Sequence, residues 1–140
     1  MVGVGAWADK RRGLPETPVF EETFGLSGYQ VAVTDGAVTL LGYWEVQQPP
    51  QDEVKIFVHL LDETGQLISQ HDGLDVAWQW MQPGDAFAQL HTIPLPADLA
   101  AGSYALQLGL YHTDDGVRLT LPVEGTTTDR VLLQTIEIGE

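Results

Sequence analysis

Residues 54–73 read VKIFVHLLDETGQLISQHDG, and the way this stretch turns back on itself decides the fold. Ile56, Val58 and Leu60 recur at every second position, the period of a strand with one buried face. Glu63-Thr64-Gly65 then reverses the chain, and Leu67 to Gln70 returns along it. The opposite face carries Phe57, His59 and Leu61, so this strand is expected to be covered on both sides and central in its sheet.

The same grammar repeats outward. Tyr29–Val33 and Val38–Val46 flank Asp35-Gly36, and Asp-Gly between alternating runs is the strongest short-range hairpin signal. Tyr104–His112 meets Thr113-Asp114-Asp115-Gly116 and returns as Val117–Leu121. Phe87–Ile93 and Val131–Ile138 read as single strands. The expectation is an all-β, antiparallel two-sheet β-sandwich of immunoglobulin-like or jelly-roll-like form, with about nine strands and three hairpins. Residues 1–23, Gly-rich and then punctuated by Pro15 and Pro18, read as a flexible or extended lead-in, and residues 24–140 as one domain. Only Pro96–Ala101 has room for a helical turn, ended by Gly102.

Parity also assigns faces. Trp44 falls in step with Val38, Leu40 and Val46 and is expected in the core, with Tyr43 outward. Between Tyr104 and His112 the second face is Ala105, Gln107, Gly109 and Tyr111, small and polar. In the last strand the alternation slips between Leu133 and Ile136, which predicts a bulge near Gln134-Thr135.

Composition removes whole classes of function. The chain has no cysteine, which excludes disulfides, thiolate catalysis and cysteine-held metals. Its net charge is −14, from 20 acidic and 6 basic residues, and three of the bases, Lys10, Arg11 and Arg12, stand near the start. A body holding only Lys55, Arg118 and Arg130 would repel a phosphate backbone or an anionic bilayer, so neither nucleic acid nor a membrane surface is an expected partner. No run approaches the ~18 apolar residues of a membrane helix, so direct membrane insertion is not expected. Met1–Ala8 lacks a basic stretch before it and makes a poor signal peptide. An apolar content of 44% argues against disorder.

Catalytic motifs are not legible. Ser27, Ser69 and Ser103 lie outside any G-x-S-x-G elbow, and phosphate-binding and dinucleotide glycine patterns are missing. Carboxylate pairs of the glycosidase kind are made in space and cannot be read from spacing. His59, His71, His91 and His112 fall in or beside strands without ligand spacing, so no metal and no cofactor is expected. The loops Gln70–Asp75 and Thr113–Gly116 are acidic enough to be weighed for calcium but lack a ladder of oxygen ligands. The aromatic residues are the most informative feature. Trp78 and Trp80 flank Gln79 and would share one face if extended, as a platform for a sugar ring or as a plug on an open end of the sandwich.

Three runs, IFVHLLDETGQLISQHDG from Ile56, WMQPGD from Trp80 and LPADLAAGSYALQLGLYHTDDGVRLTL from Leu95, carry a resemblance. Together they resemble the soluble β-sandwich domain that follows the membrane helices of bacterial lipid-carrier-dependent, mannosyltransferase-like glycosyltransferases. The shared positions are Phe57–Leu60, Asp62–Gly65, Gln70–Gly73, Trp80–Gly84 and Gly102–Tyr111, mostly turn and core residues. Where that pattern has a Pro-rich loop after Asp-Gly, this chain has Leu74-Asp75-Val76-Ala77-Trp78. The resemblance implies an extracytoplasmic, non-catalytic accessory module beside a membrane domain, or a stand-alone relative, with Lys10-Arg11-Arg12 at a membrane-proximal junction. A glycan is the first ligand class to test, with Trp78, Trp80, Tyr111 and His112 for stacking and hydrogen bonds and Asp72 and Asp75 as acceptors for hydroxyls. A purely structural or protein-interaction module and a hydrolase with an unrecognised carboxylate pair are the alternatives.

Overall fold

The structure, a computed structural model, describes residues 12–13 and 17–139. The hairpin that opened the sequence argument forms as expected: β5 (Val54–Leu61) and β6 (Leu67–Gly73) pair antiparallel across the Asp62–Gly65 turn. Asp62 Oδ1 organises that turn by accepting hydrogen bonds from Thr64 N, Thr64 Oγ1 and Gln66 N at 2.9, 2.7 and 2.9 Å. Gly65 takes the positive φ of 87° that the reversal demands.

The remaining elements are β1 (Arg12–Gly13), β2 (Val19–Phe20), β3 (Phe24–Val33), β4 (Ala37–Val46), β7 (Ala86–Pro94), β8 (Gly102–His112), β9 (Leu121–Val123), β10 (Thr126–Thr128) and β11 (Val131–Ile138). One sheet runs β1-β3-β4-β7 with β2 also on β3; the other runs β11-β8-β5-β6; β9 and β10 form a small ribbon. All pairings are antiparallel. After the β5–β6 hairpin the chain visits the first sheet as β7 and returns as β8 beside β5, a Greek-key-like excursion. β5 is thus central as expected, but on its second face only Phe57 is covered, with Lys55 exposed and His59 and Leu61 partly buried.

The two inner faces meet in one core. Trp44, Phe20, Phe24, Leu26, Leu40, Ile56, Val58, Leu60, Leu106, Leu108 and Leu110 are almost wholly buried, and each such side chain contributes about 1.5–3 kcal/mol by leaving water. Trp44 packs between Phe20 and Phe87, while Tyr43 stays half-exposed on the other face.

Three expectations need correction, while the bulge expected in β11 is present. The sheet takes in backbone ahead of residue 24, because β1 pairs with Tyr29 and Gly28, and Phe20 of β2 is fully buried. Residues 1–11 and 14–16 of the lead-in lie outside the described residues. The return Val117–Leu121 is not a strand: a single bridge joins Arg118 to Tyr111, and the chain then departs for β9. Pro96–Ala101 makes a β-turn, with Leu99 N donating to Pro96 O, whereas the one helical turn, of 3-10 type, is Trp78–Trp80. The bulge in β11 falls between Leu132 and Gln134, just ahead of the predicted place.

Side-chain ties join the two sheets along both flanks. On one, Tyr29 of β3 donates its hydroxyl to the carbonyl of Leu133, at the bulge of β11, at 2.8 Å. On the other, β6 and β7 face each other, and His71 and His91, opposite Val58 and Leu40 in their ladders, bring their Nδ1 atoms to 2.9 Å. One ring must donate and the other accept. His91 is buried and its Nε2 has no partner among the described residues. Burial, and then the neighbouring His71, push its pKa down to about 4, against the opposing pull of Asp75.

No helix among the described residues is long and apolar enough to cross a membrane.

Candidate functional site

The period of two that buries Ile56 and Val58 turns Lys55, Phe57 and His59 to the outer face of β5. Cross-strand pairing arranges that face in rows: Asp72–Phe57–Gly109 and Gln70–His59–Gln107, with Lys55 opposite Tyr111 at the end. Phe57 is an apolar ring on an outward face, and the fold deals with it by roofing it over.

Gly109 makes this possible. A Cβ there would sit 2.5 Å from Cζ of Phe57 and 2.7 Å from the carbonyl oxygen of Asp129, so the ring lies across the bare backbone of the neighbouring strand. The loop after β8 supplies the cover. Gly116, at a φ of 74°, turns the chain, and Val117 O and Leu110 O accept from His112 N and Leu119 N. Arg118 is thereby bridged to Tyr111 and projects onto the same face, its guanidinium carbon 4.3 Å from the centre of the Phe57 ring. His59 lies 4.6 Å away on the other side, and Phe57 keeps only 2% of its surface.

Above this floor is a shallow cleft of about 240 Å³ lined by Phe57, His59, Asp72, Tyr111, Gly116 and Arg118. The Tyr111 hydroxyl donates to Asp72 Oδ2 at 2.9 Å. Partial burial, then the Asp72 hydrogen bond and charge, raise the Tyr111 pKa, so it stays a donor. Burial, then the Arg118 charge, lower that of His59 against the opposing Asp72. Neutral His59 can then both donate and accept at neutral pH. The cleft therefore offers the partly exposed rings of Tyr111 and His59, a carboxylate and a guanidinium.

Of the six residues singled out from sequence, Asp72 and Tyr111 meet here. His112, adjacent to Tyr111, points to the opposite face and bonds Asp52 at 2.8 Å. Burial disfavours its charged form, but the Asp52 hydrogen bond and the Asp52, Glu21 and Asp115 charges prevail and raise its pKa. Asp75 is held by Gln89, which accepts from Asp75 N at 2.7 Å and donates to Asp75 Oδ2 at 3.0 Å. Trp78 and Trp80 do not share a face: the 3-10 turn packs Trp78 on the core and leaves Trp80 79% exposed. Phe57, His59 and Arg118 were not named as site residues. The available signal was the outward Phe57 directly across from a glycine, with one of the body's three bases in the loop behind it.

Among the described residues no three His, Asp or Glu side chains gather as a metal ion would need. In the loop 113–116, Asp115 Oδ1 accepts from Val117 N at 3.0 Å, capping the turn.

No protein-family model and no curated protein sequence matches the chain. Among solved structures, the C-terminal domain of wzt is similar over 96% of this chain and 88% of its own, at 12% identity and a TM-score of 0.55. That identity speaks for a shared fold alone. Beta-glucosidase 3B from Thermotoga neapolitana, solved with glucose and with glycerol, aligns with 86% of this chain at 14% identity and a TM-score of 0.48; the match spans 16% of the enzyme. The likeness to the wzt domain agrees with the antiparallel sandwich built here from residue parity.

Proposed function

We propose that the chain is a carbohydrate-binding accessory module whose ligand lies on the outer face of β5, β6 and β8. The cleft over Phe57 carries this reading. At about 240 Å³ it is smaller than the ~300–1,000 Å³ of pockets that enclose a small molecule, and it suits one face of a sugar ring. Tyr111 and His59 present flat ring surface to C–H groups, while Asp72, Arg118 and His59 supply directional acceptors and donors for hydroxyls. Binding is favoured over hydrolysis because a glycosidase sets two carboxylates ~5–9 Å apart about the scissile bond, and the described lining of the cleft contributes one, Asp72. The resemblance to the domain beside mannosyltransferase-like membrane enzymes extends the proposal to an extracytoplasmic setting, next to enzymes that handle glycans.

Affinity electrophoresis in gels containing soluble polysaccharides tests it. Retardation by at least one glycan is expected, lost on Tyr111→Ala with far-UV circular dichroism unchanged, and kept on Trp80→Ala. Retardation that vanishes with Trp80→Ala and survives Tyr111→Ala would move the site to the 3-10 turn, and no retardation by any glycan would end the reading. The second reading, a protein-interaction module, is favoured by Trp80 itself, since a tryptophan 79% exposed is a residue type enriched at interfaces.

A further inference from the structure

Across an acidic chain, two of the three bases of the body, Arg118 and Arg130, meet at one carboxylate. Lys55 stands opposite Tyr111 on the outer face of β5. Arg118 lies over Phe57 in the cleft, and Arg130 immediately precedes β11. Arg118 Nη1 and Arg130 Nη1 both approach one oxygen, Asp129 Oδ1, at 3.4 and 2.8 Å. The fold has little need of this arrangement, since paired surface charges contribute only about 0–1 kcal/mol.

Arg118 is also built to receive something. Contact with the Phe57 ring, with Cζ 4.3 Å from its centre, restrains the guanidinium, so less side-chain entropy remains to be lost on binding. A guanidinium has five N–H donors. Asp129 engages one of them at a long 3.4 Å, and over a third of the side chain is exposed. A planar fork pre-oriented on a ring and loosely held by a single internal carboxylate matches an oxyanion in geometry and charge.

We infer that the glycan taken by the cleft carries an anionic substituent, a carboxylate or sulfate, received by the Arg118 guanidinium. Asp129 occupies part of the anion's place in the free protein. This deepens the carbohydrate reading and rests on it.

Binding of the full chain to matched probes tests the inference: oligogalacturonate against neutral galacto-oligosaccharide, and dextran sulfate against dextran. One acidic probe should bind about tenfold more tightly than its neutral counterpart, the scale of one charge-assisted hydrogen bond. Arg118→Gln should erase that preference, and Asp129→Asn, which leaves the Phe57 contact in place, should strengthen acidic binding several-fold. The uronate and sulfate arms identify which anion is read. Neutral probes binding as tightly as acidic ones, or a preference indifferent to both variants, would overturn the inference and leave the carbohydrate reading standing. Acidic binding that ignores Tyr111→Ala would be plain ion exchange and would overturn it too. Failure of all four probes to bind would overturn the inference, while the carbohydrate reading stands or falls on the affinity-gel panel.

Discussion

His91 is expected to make this protein acid-sensitive. The imidazole is 1% exposed and bonded to His71, and burial, with His71 next, takes its pKa from the ordinary 6.5 down to about 4. In that window the unfolded chain binds a proton at His91 that the folded chain refuses, so stability falls as pH falls. At pH 7 both states are neutral and nothing is lost; by pH 4 the penalty is nearly complete. At 1.36 kcal/mol per pH decade, it reaches about 3 kcal/mol, a large part of the ~5–15 kcal/mol that holds a domain folded. His112 acts in the opposite sense: its raised pKa adds stability below 6.5 that is lost as pH rises through the folded value. The His112 contribution is common to wild type and variant and cancels between them. Urea unfolding of wild type and His91→Leu, followed by tryptophan fluorescence at pH 7 and pH 4, isolates the His91 contribution. Wild type should lose about 3 kcal/mol more than the variant on acidification. Parallel losses would refute the reasoning, whatever the variant does to stability at pH 7.

Two further substitutions probe the ties described above. Gly109→Ala should cost about 1–3 kcal/mol by overpacking, because the new methyl would meet both the Phe57 ring and the Asp129 carbonyl, and should lower glycan retention; a change below about 0.5 kcal/mol in a urea titration would mean that the ring moves freely. Tyr29→Phe removes the hydroxyl that reaches Leu133 O and should cost about 1 kcal/mol, with increased hydrogen exchange in β11 as the local readout.

What could be read from the sequence was whatever repeats with a short period. Ile56-Val58-Leu60 and Leu106-Leu108-Leu110 declare their buried faces residue by residue, and Gly65 marks where the chain must reverse. Features of two or three residues carry no period. β1 and β2 were therefore hidden in the lead-in, although Phe20 is wholly buried. Trp78-Gln79-Trp80 could be extended or coiled on local grounds, and packing of Trp78 against the core decided for the 3-10 turn. Val117–Leu121 alternates like a strand, yet Val117 is 57% exposed, only Arg118 is bridged to β8, and Leu121 pairs with Thr128 instead.

The cleft was hidden for a different reason. Phe57 is far from Gly109 and Arg118 in the chain, and each alone has an ordinary explanation: core ring, turn residue, surface charge. Pairing β5 with β8 sets Phe57 on Gly109, and the turn at Gly116 then carries Arg118 back over the ring. Parity gave the second face of each strand separately, but the register of β5 on β8 that puts Phe57 beside Gly109 and Lys55 beside Tyr111 carries no sequence signal. A ring that only a glycine can seat, capped by one of the body's three bases, costs the sheet a side chain at Gly109 and gives the core nothing in return. The binding reading supplies a reason to keep that arrangement: with Phe57 as a fixed floor, Arg118, His59 and Tyr111 are held ready before any ligand arrives.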